Sequence, residues 1–240
     1  MLFRSEVEFG NCYHYSPEKK NDEDPIRAYN EEMHLGLWVC GNTVSGSWAH
    51  PDEKASFYQL KAYVENIFAR MGVVPGTVVT EHSDNNIFSN ALVLKNRGGK
   101  VLAEMGIVSK QLLKQSDLSI DVFYADIHWD AVVKAVRNKE VLYKEISKYP
   151  AVSRDLALLL DKNVEFEAIE NVARQTEKKL LKKVELFDVY EGKNLPAGKK
   201  SYAVNFILQD ETKTLNDKQI DAMMNKLIAN LKSKLGAELR

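Results

Sequence analysis

Cysteine is the scarcest residue in this chain: Cys12 and Cys40 are all that 240 residues contain. Two thiols make no disulfide framework, and a reducing compartment, the cytoplasm, is the default expectation. No run of about 18 apolar residues occurs, which argues against a membrane-spanning helix. Met1–Arg4 is followed at once by charges, so a signal peptide is not expected. Net charge is only −1, and there is no basic tail, no internal repeat and no low-complexity tract. A phosphate-binding Gly-x-x-x-x-Gly-Lys-Ser/Thr loop is missing as well. What is present is 45% hydrophobic and 28% charged residues, the balance of a soluble globular protein. The length suits one large or two ordinary domains.

The most patterned stretch is the last third, residues 149–240. An apolar strand, Asp155–Leu160, lies between Pro150 and the turn residues Asp161, Lys162 and Asn163. Asn163 can cap a helix from Val164 to Gln175 that buries Phe166, Ile169, Val172 and Ala173. A second strand, Lys183–Tyr190, ends at Glu191 and Gly192. In a third, Ser201–Gln209, Tyr202, Val204, Phe206 and Leu208 alternate with Ser201, Ala203 and Asn205, the period of a half-buried strand. Asn216, with Gln219 three positions on, predicts a capping box. The helix that follows repeats Ile220, Met223, Met224, Leu227, Ile228, Leu231 and Leu235 at core spacing and stops at Gly236. A short closing strand completes βαββαβ, the order of a ferredoxin-like sandwich with both helices on one sheet face.

Pro150 with Ser153–Leu156, Leu186–Gly192, Gly198–Ser201, Thr214–Asp217 and the closing Leu239 and Arg240 resemble, in order and spacing, a known module. It is the ferredoxin-fold anticodon-binding domain that ends the β subunit of bacterial-type phenylalanyl-tRNA synthetase. The resemblance implies tRNA(Phe) as a partner, and an α2β2 heterotetramer in which the α subunit is catalytic. It also implies ATP and Mg2+ for the whole enzyme, with none bound by this stretch. The family's β chain is far longer, so this chain would be its C-terminal portion.

Residues 1–137 read as mixed α+β on an antiparallel sheet. Strands are expected at residues 1–15 and His34–Cys40, a polar loop over 16–32, and a loop over Asn42–Glu53. A helix runs from Asp52 or Ser56 to Arg70, with Phe57, Leu60, Val64, Ile67 and Phe68 inward, ended by Gly72 and the Pro75–Gly76 pair. Ala91–Leu94 and Lys100–Gly106 flank the turn residues Asn96–Gly99, a hairpin. A short helix at Ser109–Gln115, a strand at Leu118–Ile127 and a helix at Asp130–Val136 follow, with Asp130 as its cap. Residues 138–148 form a charged linker. This part is similar to the tail of the same family's catalytic-like domain. That domain has the class II sheet but lacks catalytic residues and packs on the α subunit.

No catalytic constellation stands out. Asn96–Lys100 is simpler as a turn than as a phosphate cradle. Cys12, His14 and Cys40 lack the paired spacing of a zinc site, and His34, His50, His82 and His128 are scattered along the sequence. Asp126 and Asp130 around His128 and Trp129 read as a strand end and a cap. Residues 151–240 hold 16 Lys and Arg against 14 Asp and Glu, a mildly basic balance that gives slight support to a nucleic-acid contact.

The open sheet face is the better candidate. If Phe187 and Val189 face the helices, Asp188 and Tyr190 face outward beside Ser201 and Asn205. An unstacked base can lie on the Tyr190 ring, and hydroxyl and amide groups can read base edges. Lys199, Lys200, Arg154 and Arg240 are candidate phosphate or structural partners. The resemblance carries over best to Tyr190, as the stacking residue, and to Ser201. Tyr190 also fits as a rim aromatic ending a strand, and Arg154 with Asp155 as a local ion pair. A different class of function remains open, a ferredoxin-like regulatory domain that senses an amino acid and binds no RNA.

Overall fold

The computed structural model describes residues 4–20, 24–74, 76–139, 143 and 145–240. The chain divides into two compact units, Met1–Leu142 and Tyr143–Arg240. Pro75, part of the loop over 16–32 and part of the 138–148 linker lie outside the described residues, as does most of Met1–Arg4.

The first unit is built on a six-stranded antiparallel sheet. Its strands are β1 (Arg4–Tyr15), β2 (Tyr29–Cys40), β5 (Val78–Ser83), β6 (Phe88–Asn96), β7 (Val101–Val108) and β8 (Val122–His128), in the order β1-β2-β8-β7-β6-β5. A separate two-stranded piece, β3 (Asn42–Val44) with β4 (Glu53–Lys54), occupies part of the expected loop. Helices α1 (Phe57–Met71) and α3 (Trp129–Val136) bury Leu60, Val64, Phe68, Ala131 and Val132 against Leu35, Leu37, Val39, Met105, Phe123, Ala125 and Ile127 of the sheet. The short α2 (Lys110–Gln115) follows β7.

Ser56 caps α1 by accepting from the Gln59 N–H, which settles the start left open between Asp52 and Ser56. Gly72 ends the helix at φ 87°, a left-handed conformation that suits glycine. The hairpin turn lies where expected, with Gly99 at φ 79°. Three local expectations change. β2 begins at Tyr29 rather than His34, because its first residues pair with β1 beyond the reach of β8. β5 is an additional edge strand. Asp130 is not the cap of α3; it lies in the first turn, where its carboxylate accepts from the Met33 N–H at 3.1 Å.

The second unit has the βαββαβ order: β9 (Val152–Asp161), α4 (Phe166–Thr176), β10 (Leu181–Tyr190), β11 (Lys199–Leu208), α5 (Asp217–Leu235) and β12 (Glu238–Leu239). The antiparallel sheet runs β10-β11-β9-β12. Ile169, Val172 and Ala173 of α4 and Ile220, Met223, Met224, Leu227 and Leu231 of α5 pack on Leu158, Leu160, Tyr202, Val204, Phe206 and Leu208. Burial of each large apolar side chain contributes roughly 1.5–3 kcal/mol. The Asn216–Gln219 capping box is present in full, and Gly236 ends α5 at φ 64°. Asn163 does not cap α4. The Val164 N–H bonds to the Asp161 carbonyl at 3.1 Å, so Asn163 sits in the turn that leaves β9, and Glu165 precedes the helix.

Candidate nucleic-acid interface

Strand register determines what the uncovered face of the second sheet presents, because directly opposed residues share a face. Tyr190, Ser201, Leu159 and Glu238 form one row across β10, β11, β9 and β12. Asp188, Ala203 and Ala157 form the next, where the Arg240 N–H donates to the Ala157 carbonyl at 3.0 Å. Glu185, Asn205 and Asp155 form a third. Serine and two alanines keep the middle of this face low. Arg240 reaches across it, and its guanidinium carbon lies 5.2 Å from the centre of the Tyr190 ring.

Gly192 completes this arrangement. A Cβ there would lie 2.2 Å from the Tyr190 hydroxyl oxygen and 2.3 Å from Cζ. The ring therefore rests on bare backbone on one side and meets a guanidinium on another. Tyr190 remains 37% exposed, enough for a planar ligand to reach it.

A β-bulge controls which residues join the face. Register shifts between Leu186 and Asp188, so Phe187 is the extra residue and is exposed rather than turned to the helices. Leu186 packs on the core instead. Val189 opposes Tyr202 on the helix side, and Asp188 and Tyr190 face outward as expected.

The polar groups are largely committed to one another. The Asn205 amide donates to the Ser153 hydroxyl and the Asp155 carboxylate. Lys199 pairs with Asp161 at 2.9 Å, and Lys162 with Glu191 at 3.2 Å. Ser201 is buried in the Tyr190 row rather than wet, so it forms part of the floor of this face.

Two of the basic residues do not join this group. Lys200 opposes Leu160 on the helix side and is buried, with its Nζ 4.5 Å from the centre of the Tyr202 ring. Arg154 opposes Phe206, also on the helix side near one end of the sheet, and donates to the Ser153 carbonyl at 3.0 Å. Tyr190, Asp188, Ser201, Asn205, Lys199 and Arg240 thus share a face, while Lys200 and Arg154 do not. The sequence reading did not single out Gly192, on which the Tyr190 ring rests. Its place two residues after an outward tyrosine is the signal that could have found it.

The uncovered face of the six-stranded sheet has a different character. Trp38 and Tyr124 stack at 4.8 Å, and Phe88 and Tyr124 at 6.0 Å. A Cβ at Gly36 would strike the Trp38 ring at 2.5 Å, so the indole lies over that glycine. Burial first, then the Asp126 charge, push the Tyr124 phenol well above its ordinary pKa. By register, the charged side chains of the central strands on this face include Glu32, Glu104 and Asp126, and also Lys95, which pairs with Glu81. The neighbouring His34 and His128 are also there, brought together from distant sequence positions.

Residues 147–240 match the family described as ferredoxin-fold anticodon binding domain. Residues 7–129 match the phenylalanyl tRNA synthetase beta chain CLM domain. Neither is a small-molecule-sensing family. Over 233 residues, the chain is 60% identical to the phenylalanine–tRNA ligase beta subunit of Bacteroides fragilis and 59% identical to that of Bacteroides thetaiotaomicron. It is 48% identical to that of Porphyromonas gingivalis. Each comparison covers 97% of this chain and 28% of the relative, so the chain spans little more than a quarter of the length of these relatives.

Proposed function

This chain belongs to the phenylalanyl-tRNA synthetase β-chain family, and from that premise we propose that residues 149–240 hold the anticodon region of tRNA(Phe) on their open sheet face. The observation that carries this reading is the Tyr190 ring, seated on Gly192 and faced by the Arg240 guanidinium. Unstacked bases of single-stranded loops lie on aromatic rings and on arginine planes. Each such stack contributes roughly 1–3 kcal/mol. Asp188, one row along, can accept from the amino group of a base. Lys199 and Arg240 supply positive charge for the backbone.

Residues 1–137 act as a non-catalytic, catalytic-like domain that supports assembly with the α subunit in an α2β2 enzyme. The complete ligase joins phenylalanine to tRNA(Phe) in the cytoplasm with ATP and Mg2+. ATP supplies the driving force for activating the amino-acid carboxylate, and its site belongs to the α subunit. The first unit's open face supports that division. Trp38 lies over Gly36 and stacks with Tyr124, which stacks with Phe88, so aromatic rings already occupy the middle of this face.

The test is binding of labelled tRNA(Phe) and of an unrelated tRNA at two salt concentrations, for the parent chain and Tyr190→Ala. Selective binding that the substitution lowers by about 5- to 150-fold is expected from one lost stack. Equal affinity for both tRNAs, disappearing with salt, would instead mean generic electrostatics and would overturn the reading.

A further inference from the structure

Three adjacent strands of the first unit bring five metal-type side chains to one place on the open face. His14 comes from β1, Glu32 and His34 from β2, and Asp126 and His128 from β8. His34 opposes His128 directly, with ring centres 4.6 Å apart. Only pairing of distant strands creates this group, which is why the histidines look scattered in the sequence.

The hydrogen bonding is incomplete in a directed way. His34 is 8% exposed, and its Nε2 has no hydrogen-bond partner; the buried Nδ1 of His128 has none either. Both nitrogens lie 3.8 Å from the same Glu32 oxygen, too far for a hydrogen bond. His34 Nδ1 lies 2.7 Å from an Asp126 oxygen. A carboxylate accepts only, so Nδ1 carries the proton and Nε2 presents its lone pair. A carboxylate behind a histidine in this way fixes the tautomer and ring orientation of metal-ligating histidines. His14, Glu32 and His34 each offer a donor atom, all within 4.8 Å of one another.

We propose that this cluster binds a divalent transition metal of the zinc type. His34 Nε2, the Glu32 carboxylate and His14 are its ligands, Asp126 orients His34 from behind, and His128 lies beside the site. Bonds of about 2.0–2.1 Å in a tetrahedral site put ligand atoms about 3.4 Å apart. The 3.8 Å between His34 Nε2 and the Glu32 oxygen needs to close by only a few tenths of an ångström, and the donor atom of His14 lies within 4.8 Å of both. Imidazole nitrogens with one carboxylate suit zinc and its first-row neighbours better than magnesium or calcium. A cleft of about 460 Å³ lined by Glu32, Lys100 and His128 among others gives an ion a way in. Lys100 acts electrostatically on Glu32 and is the cation with which a metal would compete. An ion here would tie β1, β2 and β8 together.

The inference does not rest on the tRNA reading, since it concerns the other unit and needs no RNA. The experiment is calorimetric titration of the metal-stripped chain with Zn2+, with Co2+ substitution as a spectroscopic check on coordination. Expected are one equivalent of Zn2+ bound and the intense visible bands of tetrahedral Co2+. Glu32→Gln and His14→Gln should each weaken binding at least tenfold, and Asp126→Asn by about 10- to 100-fold. Lys100→Gln should tighten it, and Cys12→Ser should leave it unchanged. Circular dichroism on every variant separates lost ligands from lost folding. The absence of Zn2+ heat and Co2+ bands would overturn the proposal, as would affinity unchanged in folded Glu32→Gln and His14→Gln.

Discussion

Replacing Gly192 with alanine adds one carbon, and the structure says where it lands. That Cβ would lie 2.2 Å from the Tyr190 hydroxyl oxygen, 2.3 Å from Cζ and 3.0 Å from Cε1. Contacts this short are not tolerated, so the ring must swing away. Gly192 is not among the positive-φ glycines, so alanine brings no left-handed backbone strain. Alanine also reduces unfolded-chain entropy, worth about 0.4–1 kcal/mol in favour of folding at a compatible site. Losing the Arg240–Tyr190 contact costs about 0.5–1 kcal/mol at a partly exposed position. The two effects nearly cancel, and stability should move by less than about 1 kcal/mol. RNA affinity should not be spared, because the displaced ring forfeits a stack worth about 1–3 kcal/mol, or about 5- to 150-fold in dissociation constant. The assay is a double-mutant cycle on tRNA(Phe) binding, with urea unfolding in parallel. In the Tyr190→Ala background, Gly192→Ala should have no further effect on affinity. A further loss there, or an unshifted Tyr190 ring resonance in the single variant, would refute the reasoning.

Lys200→Ala removes a buried side chain packed over the Tyr202 ring; urea unfolding should show a loss of about 1–2 kcal/mol, while RNA affinity changes less than about twofold. Asn216→Ala breaks the capping box of α5 and should cost about 1 kcal/mol in the same assay. Tyr124 has a raised pKa in the folded state, so its contribution to stability is present below the unfolded value of about 10 and falls as pH rises above it. Tyr124→Phe should flatten the alkaline limb of a stability-against-pH curve, and an unchanged limb would count against the assignment.

Local signals read best. Asn216, Gln219 and Gly236 specify α5 within one turn at each end, and they lie where the sequence puts them. The alternation of Tyr202, Val204, Phe206 and Leu208 needs no partner strand to interpret. The facing of β10 does, because one extra residue at Phe187 reverses the parity of everything before it, and a bulge is visible only against β11. Lys200 was legible in principle: it shares the parity of Tyr202, but its charge suggested solvent more strongly than the period suggested burial. The Tyr190–Arg240 contact and the His34–His128 pair join positions far apart in the chain, and neither is encoded by spacing.

The composition of the open face limits how it can bind RNA. Lys199 is held by Asp161, and Lys183 by Glu185. Among the described residues in the sheet rows, Arg240 remains beside Asp155, Asp188 and Glu238. Such a surface cannot draw in a phosphate backbone by charge density. Neutralising each phosphate of a single strand contributes about −0.7 to the slope of log affinity against log salt, and Lys199 and Arg240 allow a slope of only about −1 to −2. Discrimination must then come from contacts that any polyanion does not satisfy, namely the tyrosine ring, the guanidinium plane and a carboxylate that accepts from a base. A shallow salt dependence together with strong sensitivity to Tyr190 and Gly192 is the signature of this mode. A steep slope would move the contact to the lysines just before and at the start of β10, Lys178, Lys179, Lys182 and Lys183, away from Tyr190.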